Sequence, residues 1–283
     1  MPLNYLYFSM LIFIIIYFLY FQNNKIVVTN YHISSPKLPK AFDGFCIVQI
    51  SDVHGKLFGE KQSRLVNEVS KLKPDIIAIT GDLVDRRRYR EKPGLLLVEE
   101  IINIAPVYFV NGNHEIGSGK YEALGEKLKE LGVTVLRDAN ISFVRGQDSI
   151  SIVGIDSPKI KKIIYSHMKT GLENALYGMK NKKKMFKLLL AHRPEQFELY
   201  VNNDVDLVLS GHAHGGQIRL PFIGGLYAPE QGWFPKFVNG VHEKKQTKMV
   251  ISRGLGPSIF PFRIFNYPEV VKINLQSEIC KKV

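Results

Sequence analysis

Apolar residues fall into two patterns along this chain of 283 residues. The first is one unbroken run. Tyr5 to Phe21 is 17 residues of apolar and aromatic side chains, with Ser9 and the tyrosine hydroxyls as its only polar content. As a helix it would be ~25 Å long. That is at the short end of what spans a hydrocarbon core of ~30 Å, and tyrosines at both ends suit the two interfaces. No basic residue precedes the run, and no small-x-small cleavage site follows in Gln22-Asn23-Asn24-Lys25. The run therefore reads as an uncleaved transmembrane anchor rather than a signal peptide.

The second pattern is a repeat of short apolar runs that stop abruptly in polar clusters. Phe45–Ile50 ends in Ser51-Asp52-Val53-His54. Asp75–Thr80 ends in Gly81-Asp82, and Val107–Val110 in Asn111-Gly112-Asn113-His114-Glu115. Leu188–Leu190 ends in Ala191-His192, and Asp206–Leu209 in Ser210-Gly211-His212-Ala213-His214. Helical spacing predicts helices near residues 60–72, 94–104, 120–131, 169–180 and 194–202. Within the third, Tyr121, Leu124, Leu128 and Leu131 share a face, and Gly132 is a C-cap candidate. Further strands are expected at Lys25–Tyr31, Thr134–Leu136, Ile141–Val144, Ser149–Gly154, Lys248–Ser252 and Val270–Leu275. Ser34–Lys40, with two prolines, reads as a connector. The division is then an anchor at 1–24, a leading strand and linker at 25–44, and one folded domain at 45–283.

Composition is ordinary for a globular protein, with 45% hydrophobic and 23% charged residues. The net charge of +12 favours anionic partners without choosing among phosphorylated substrates, anionic lipid and nucleic acid. Cys46 sits in an apolar run and reads as a core residue, and Cys280 lies in the tail, so no disulfide framework is visible. The basic cluster Lys180–Lys187 reads as a solvated helix end or loop. The nearby basic residues Lys25, Lys37 and Lys40 all follow the apolar run, which by the positive-inside rule puts the folded domain in the cytoplasm.

Strand-end loops commonly carry the site in α/β folds. Here they hold five of the eight histidines, namely His54, His114, His192, His212 and His214, together with Asp52, Asp82 and Asn113. Each cluster alone is a weak signal, since a lone Asp-x-His also fits a capped turn. Their order is specific: D-x-H, G-D-x-x-D, G-N-H-E, H, then G-H-x-H. In this order the sequence resembles the calcineurin-like metallophosphoesterase superfamily over roughly Phe45 to Leu275. The resemblance implies a four-layer α-β-β-α sandwich of class α/β, with the site at the strand ends. It implies that Asp52, His54 and His214 hold one metal, that Asn113, His192 and His212 hold a second, and that Asp82 bridges them. Carboxylate, imidazole and amide donors suit Mn, Fe, Zn or Co, with Mn favoured. Two such ions acidify a water for in-line attack on phosphorus. His114 is expected to face the substrate as a catalytic group, with Asp85 holding its ring in orientation. A helix cap is the plainer reading of Asp85. Glu115 is expected to be structural.

One departure matters. Protein phosphatases of the superfamily continue the second block with Arg-Gly, whereas Asp85 is followed by Arg86-Arg87-Arg88. That lowers a phosphoprotein reading. Gly215-Gly216-Gln217-Ile218-Arg219, Ser252-Arg253-Gly254-Leu255-Gly256, Arg263 and Pro268-Glu269 resemble the bacterial membrane-associated branch of small phosphodiesterases, which includes hydrolases of UDP-diacylglucosamine. The expected activity is phosphodiester or pyrophosphate hydrolysis near the membrane, on a lipid-linked or nucleotide-containing substrate. A metal-dependent nuclease and a non-catalytic metal-binding membrane protein are the competing readings. No nucleic-acid module is recognisable, and no protein partner is inferred. Gly232-Trp233-Phe234-Pro235 and Ile259-Phe260-Pro261-Phe262 fit either a lipid-facing rim or core packing. Arg86, Arg87, Arg88 and Arg90 fit either a phosphate clamp or a solvated loop.

Overall fold

The computed structural model describes residues 3–158, 161–177, 185–258 and 260–278. Cys280, Ile259 and most of the Lys180–Lys187 cluster lie outside them. The helices are α1 (Leu3–Asn24), α2 (Ser63–Lys71), α3 (Lys92–Ile101), α4 (Asn113–Ser118), α5 (Tyr121–Glu130), α6 (Ile164–Ala175) and α7 (Phe197–Asn202). The strands run from β1 (Val27–Ser35), β2 (Cys46–Ile50), β3 (Ile76–Thr80), β4 (Val107–Val110) and β5 (Thr134–Val135) to β6 (Ala139–Arg145), β7 (Asp148–Gly154), β8 (Lys187–Leu190) and β9 (Leu207–Ser210). Two short hairpins follow, β10 (Arg219–Leu220) with β11 (Gly224–Gly225) and β12 (Tyr227–Ala228) with β13 (Gly232–Trp233). Then come β14 (Gly240–Lys244), β15 (Thr247–Ile251) and β16 (Glu269–Ser277).

Two six-stranded sheets result, ordered β1-β16-β2-β3-β4-β5 and β14-β15-β9-β8-β7-β6. Successive strand residues point to opposite faces, and here both faces are apolar. Ile47, Ile76, Ala78 and Val110 of the first sheet meet Ile152, Leu188, Leu190 and Leu209 of the second. Their neighbours Val48, Ile50, Ile77, Ile79 and Phe109 turn outward onto Leu65, Val69, Leu97, Leu124 and Leu128 of α2, α3 and α5. On the far side Val153, Leu189, Val208 and Ile251 pack on Met168 and Leu172 of α6 and on Phe197 and Tyr200 of α7. The layering is α-β-β-α, as the family resemblance implied. Continuous burial explains the unalternating apolar runs.

β2, β3 and β4 are parallel, as are β7, β8, β9 and β15. Their C-terminal ends carry all five polar clusters. The helix expected at 120–131 is α5. Its Schellman end is closed by the Val133 N–H donating to the Leu128 carbonyl at 3.0 Å, with Gly132 at φ +93°. Several boundaries differ. α6 begins at Ile164, because Ile164, Met168, Leu172 and Ala175 form its buried stripe. β1 runs on to Ser35 as the edge strand beside β16, with Ile33 buried. α4 and β14 were not expected. α4 is six residues long and opens inside one of the polar clusters, and β14 is mostly solvent-facing.

Candidate active site

The chain turns sharply after each apolar strand, so the following side chains point back over the strand ends. Asp52, His54, Asp82, His212 and His214 all take left-handed backbone conformations, with φ between 49° and 68°. Two glycines make the turns possible by absence of a side chain. A Cβ on Gly211 would lie 2.0 Å from Ser51 Oγ and 2.3 Å from Asp52 Oδ2, and one on Gly112 would lie 2.1 Å from Asp82 Oδ1.

Seven polar side chains converge there. His54 Nε2 lies 3.0 Å from His214 Nε2 and 3.6 Å from Asp82 Oδ2, while His214 Nε2 lies 3.2 Å from Asp52 Oδ1. On the other side of Asp82, His192 Nε2 lies 3.3 Å from Asp82 Oδ2, 3.2 Å from Asn113 Oδ1 and 3.1 Å from His212 Nδ1. Asp82 is thus common to two groups, Asp52–His54–Asp82–His214 and Asp82–His192–His212, each compact enough for one metal ion. Asn113 adds its amide oxygen to the second. His114 and Asp85 lie beside the first, with His114 Nδ1 3.4 Å from Asp85 Oδ1. Asp85 is not a helix cap. It closes a turn by accepting the Arg87 N–H at 2.8 Å, with α3 starting only at Lys92. The Arg86 N–H also approaches His114 Nδ1, at 3.2 Å. Arg86, Arg87, Arg88 and Arg90 are exposed.

The donors fit metal ions on chemistry as well as geometry. Burial drives the His54 imidazole down to about 3, leaving a neutral ring with a free lone pair. Burial pushes Asp52 upward, but His214 and His192 outweigh it and hold the carboxyl well below its usual range. Asp82 behaves the same way, with His192 and His114 opposing its burial. Burial lowers His192, but Asp82 outweighs it and raises the ring, so a metal ion there would displace the proton that Asp82 attracts. Two fully buried carboxylates therefore demand positive charge at this spot. Divalent cations bound there would supply it.

Four residues support the cluster, and the sequence assigns a role to only one of them, Glu115. Glu230 Oε2 lies 2.7 Å from His212 Nε2, which fixes the ring so that Nδ1 faces the cluster. Arg263 Nη2 lies 3.4 Å from His214 Nδ1 and also donates to the Gly256 carbonyl at 2.6 Å. Asn266 Nδ2 donates to the carbonyls of His214 and Gln217, clamping the last block. Glu115 accepts the backbone N–H groups of Gly112, Asp82 and Val84, tying two ligand loops together.

Residues 46–216 match the calcineurin-like phosphoesterase family. The chain belongs to that family. It is a phosphoester hydrolase. The uncharacterized metallophosphoesterase YkuE of Bacillus subtilis is 30% identical over 265 residues, covering 91% of this chain and 88% of its own. A Danio rerio transmembrane protein with metallophosphoesterase domain is 30% identical over 258 residues, of which this chain spans only 57% of the length. The phosphodiesterase YaeI of Escherichia coli is 26% identical over 238 residues, 82% of each chain.

This phosphoesterase also carries a cavity of about 600 Å³ that reaches from the cluster to α1. Its lining includes His54, Lys56 and Arg90 at the polar end and Leu19, Tyr20 and Phe262 at the apolar end. α1 is long and apolar enough to cross a membrane.

Proposed function

We propose that this phosphoesterase uses two divalent metal ions, manganese being favoured, to hydrolyse a phosphodiester or pyrophosphate bond at a membrane. The substrate is lipid-linked or contains a nucleotide. The observation that carries the reading is the convergence of seven donor side chains into two compact groups that share Asp82. Asp52, His54 and His214 would hold one ion, Asn113, His192 and His212 the other, and Asp82 both. Bound there, the ions would supply an acidified water and neutralise phosphoryl charge.

His114 would protonate the leaving oxygen or steady phosphoryl charge. Burial disfavours its charged form, but Asp82 and Asp85 outweigh that and raise its affinity for a proton. Asp85 would keep the ring aimed. The name of YaeI supports a diester over a monoester. Arg86 and Arg88 are exposed and can meet phosphate or anionic headgroups, while Arg87 pairs with Asp85 at 3.5 Å. The membrane setting is supported by α1 and by the name of the Danio rerio relative. Lys25, Lys37 and Lys40 favour the cytoplasmic side for the catalytic body.

The test is hydrolysis of a generic aryl phosphodiester with Mn²⁺, with and without chelator, together with metal counting. Wild type should bind two ions per chain and lose activity on chelation. Asp82→Asn should lose metal and activity together. His114→Ala should keep the metal and lose ~10²–10⁴-fold in rate. Absence of metal-dependent hydrolysis of any phosphoester would overturn the reading. If hydrolysis is seen, comparing a UDP-linked lipid with single-stranded DNA separates a membrane substrate from a nuclease.

A further inference from the structure

The last two turns of α1 are docked on the catalytic body. Gln22 is buried and donates to the Tyr267 hydroxyl at 3.2 Å. Phe18 packs edge-on against Phe265 at 5.7 Å, and Phe21 against Tyr267 at 6.0 Å. The free carbonyls at the helix end are taken by cations of the body: Arg64 Nη2 donates to Asn24 O at 2.7 Å, and Lys56 Nζ donates to Asn23 O. Positive charge there also complements the negative end of the helix dipole. The helix therefore meets the body in a fixed pose.

That pose has a length problem. The apolar run is bounded by Asn4 and Gln22 and is ~25 Å long as a helix. Ile16 to Phe21 lie beside or in the docked turns, so only Tyr5–Ile15, ~16 Å, stands clear of the body. A hydrocarbon core is ~30 Å thick. The shortfall disappears if the surface around the docked turns is itself apolar and enters the membrane.

That surface is apolar. Pro257, Pro261 and Phe262 line one cavity together with Ile16, Leu19 and Tyr20. Ile16 lies ~12 Å along the axis from Asn24, so this loop climbs beside the anchor. The hairpins after His214 are tied to it. The Phe260 N–H donates to Gln217 Oε1 at 3.1 Å, and the Arg219 N–H donates to Ile264 O at 3.0 Å. These hairpins carry the large exposed side chains Phe222, Ile223, Trp233 and Phe234, with Trp233 71% and Phe234 67% exposed. Phe260, Phe262 and Phe265 are exposed as well. Phe260 and Phe262 pack edge-on at 6.0 Å, and so many exposed rings on segments bonded to one another are uncommon on a soluble surface. Tryptophan and other amphipathic rings favour the headgroup level of a bilayer, and Lys236 stands beside them on the same segment.

We propose that Phe222, Trp233, Phe234, Phe260 and Phe262 form an aromatic collar that seats the catalytic body in the lipid interface beside the anchor. The partner is the bilayer itself, and the cavity leading to His54 opens at its surface. The collar rests on the reading of α1 as a membrane helix. It resolves the two readings of the aromatic stretches in favour of a lipid-facing rim.

The test uses Trp233, the only tryptophan in the chain. The full chain is reconstituted into phosphatidylcholine–phosphatidylglycerol vesicles, with and without bromine on the acyl chains. Trp233 emission should shift to the blue relative to the detergent-free indole standard and be strongly quenched by the brominated lipid. Phe222→Trp in a Trp233→Phe background should report the same. Emission typical of indole in water, with no response to bromine at either position, overturns the collar and leaves a protein-binding face. Alkaline carbonate extraction separates the two levels. A chain that washes off the membrane refutes the anchor, whereas one that stays while both tryptophans report water refutes the collar alone. Neither readout depends on hydrolysis, so an inactive protein would overturn the catalytic reading and leave this test intact.

Discussion

The side-chain oxygen of Asn23, in the last turn of α1, accepts a 2.9 Å hydrogen bond from the backbone N–H of Arg263. The Arg263 guanidinium lies 3.4 Å from His214 Nδ1. The apolar helix is thereby joined to the metal-ligand cluster through one residue. Asn23→Ala removes the acceptor from a part-buried N–H, which costs about 1 kcal/mol. A lower unfolding midpoint in detergent and a few-fold weaker Mn²⁺ activation are expected. Asn24→Ala is the control, since its side chain bonds only within the helix, to Tyr20 O, and should leave the Mn²⁺ titration unchanged. Equal effects from both would show that the link is not felt at the site.

Glu230 should matter through His212. Its carboxylate holds the imidazole from the side opposite the cluster. Glu230→Ala is expected to weaken metal affinity ~10–100-fold, as loss of such supporting partners does elsewhere. Calorimetric titration with Mn²⁺ measures this directly. Glu230→Gln, which keeps an acceptor, should recover part of the loss.

Gly211 leaves no room for a methyl group. Gly211→Ala would drive Cβ into Ser51 and Asp52, so it should destabilise by more than about 2 kcal/mol and abolish activity. Gly146, unlike Gly211, is at positive φ, and nothing lies within 4 Å of its would-be Cβ. Gly146→Ala should cost about 1 kcal/mol and spare activity. Chemical denaturation of the two variants separates crowding from backbone conformation.

Asp156 gives a pH dependence away from the metal ligands. Burial, then the charge of Asp138, raises its carboxyl from 3.8 to about 6. The folded state therefore binds this proton more tightly than the unfolded chain does. Stability from this group is present at low pH and lost as pH rises through about 6. Asp156→Asn should be more favourable relative to wild type at pH 8 than at pH 5, by about 1–1.5 kcal/mol. An Asn substitution whose cost is the same at both pH values would contradict the shift.

The buried strands and the polar clusters at their ends were legible because burial on both faces forces continuous apolar runs that stop abruptly, while the sandwich layering came from the family resemblance. The five blocks sit on separate strands, so their order alone is informative. Other features were not legible. α4 begins at Asn113, inside a ligand cluster, and its short span has no periodicity to read. Glu230 reaches the cluster from the turn between β12 and β13 and Asn266 from the loop before β16, and nothing in the local sequence assigns them to His212 and His214. Asp85 invited a helix cap because a helix does follow, but Arg86 to Glu91 intervene as a loop. The docking of α1 depends on Asn23, Arg263 and Tyr267 meeting across most of the chain, a contact that no local pattern encodes.

Asp52, His54, Asp82, His212 and His214 share a backbone conformation that glycine adopts freely and side chains resist. Each such residue costs of order 1 kcal/mol or more. Selection for folding alone would therefore favour glycine at five positions that hold carboxylates and imidazoles of the buried cluster. In a descendant released from catalysis, these positions should be among the first to drift, and the drifted protein should fold more securely than its active ancestor.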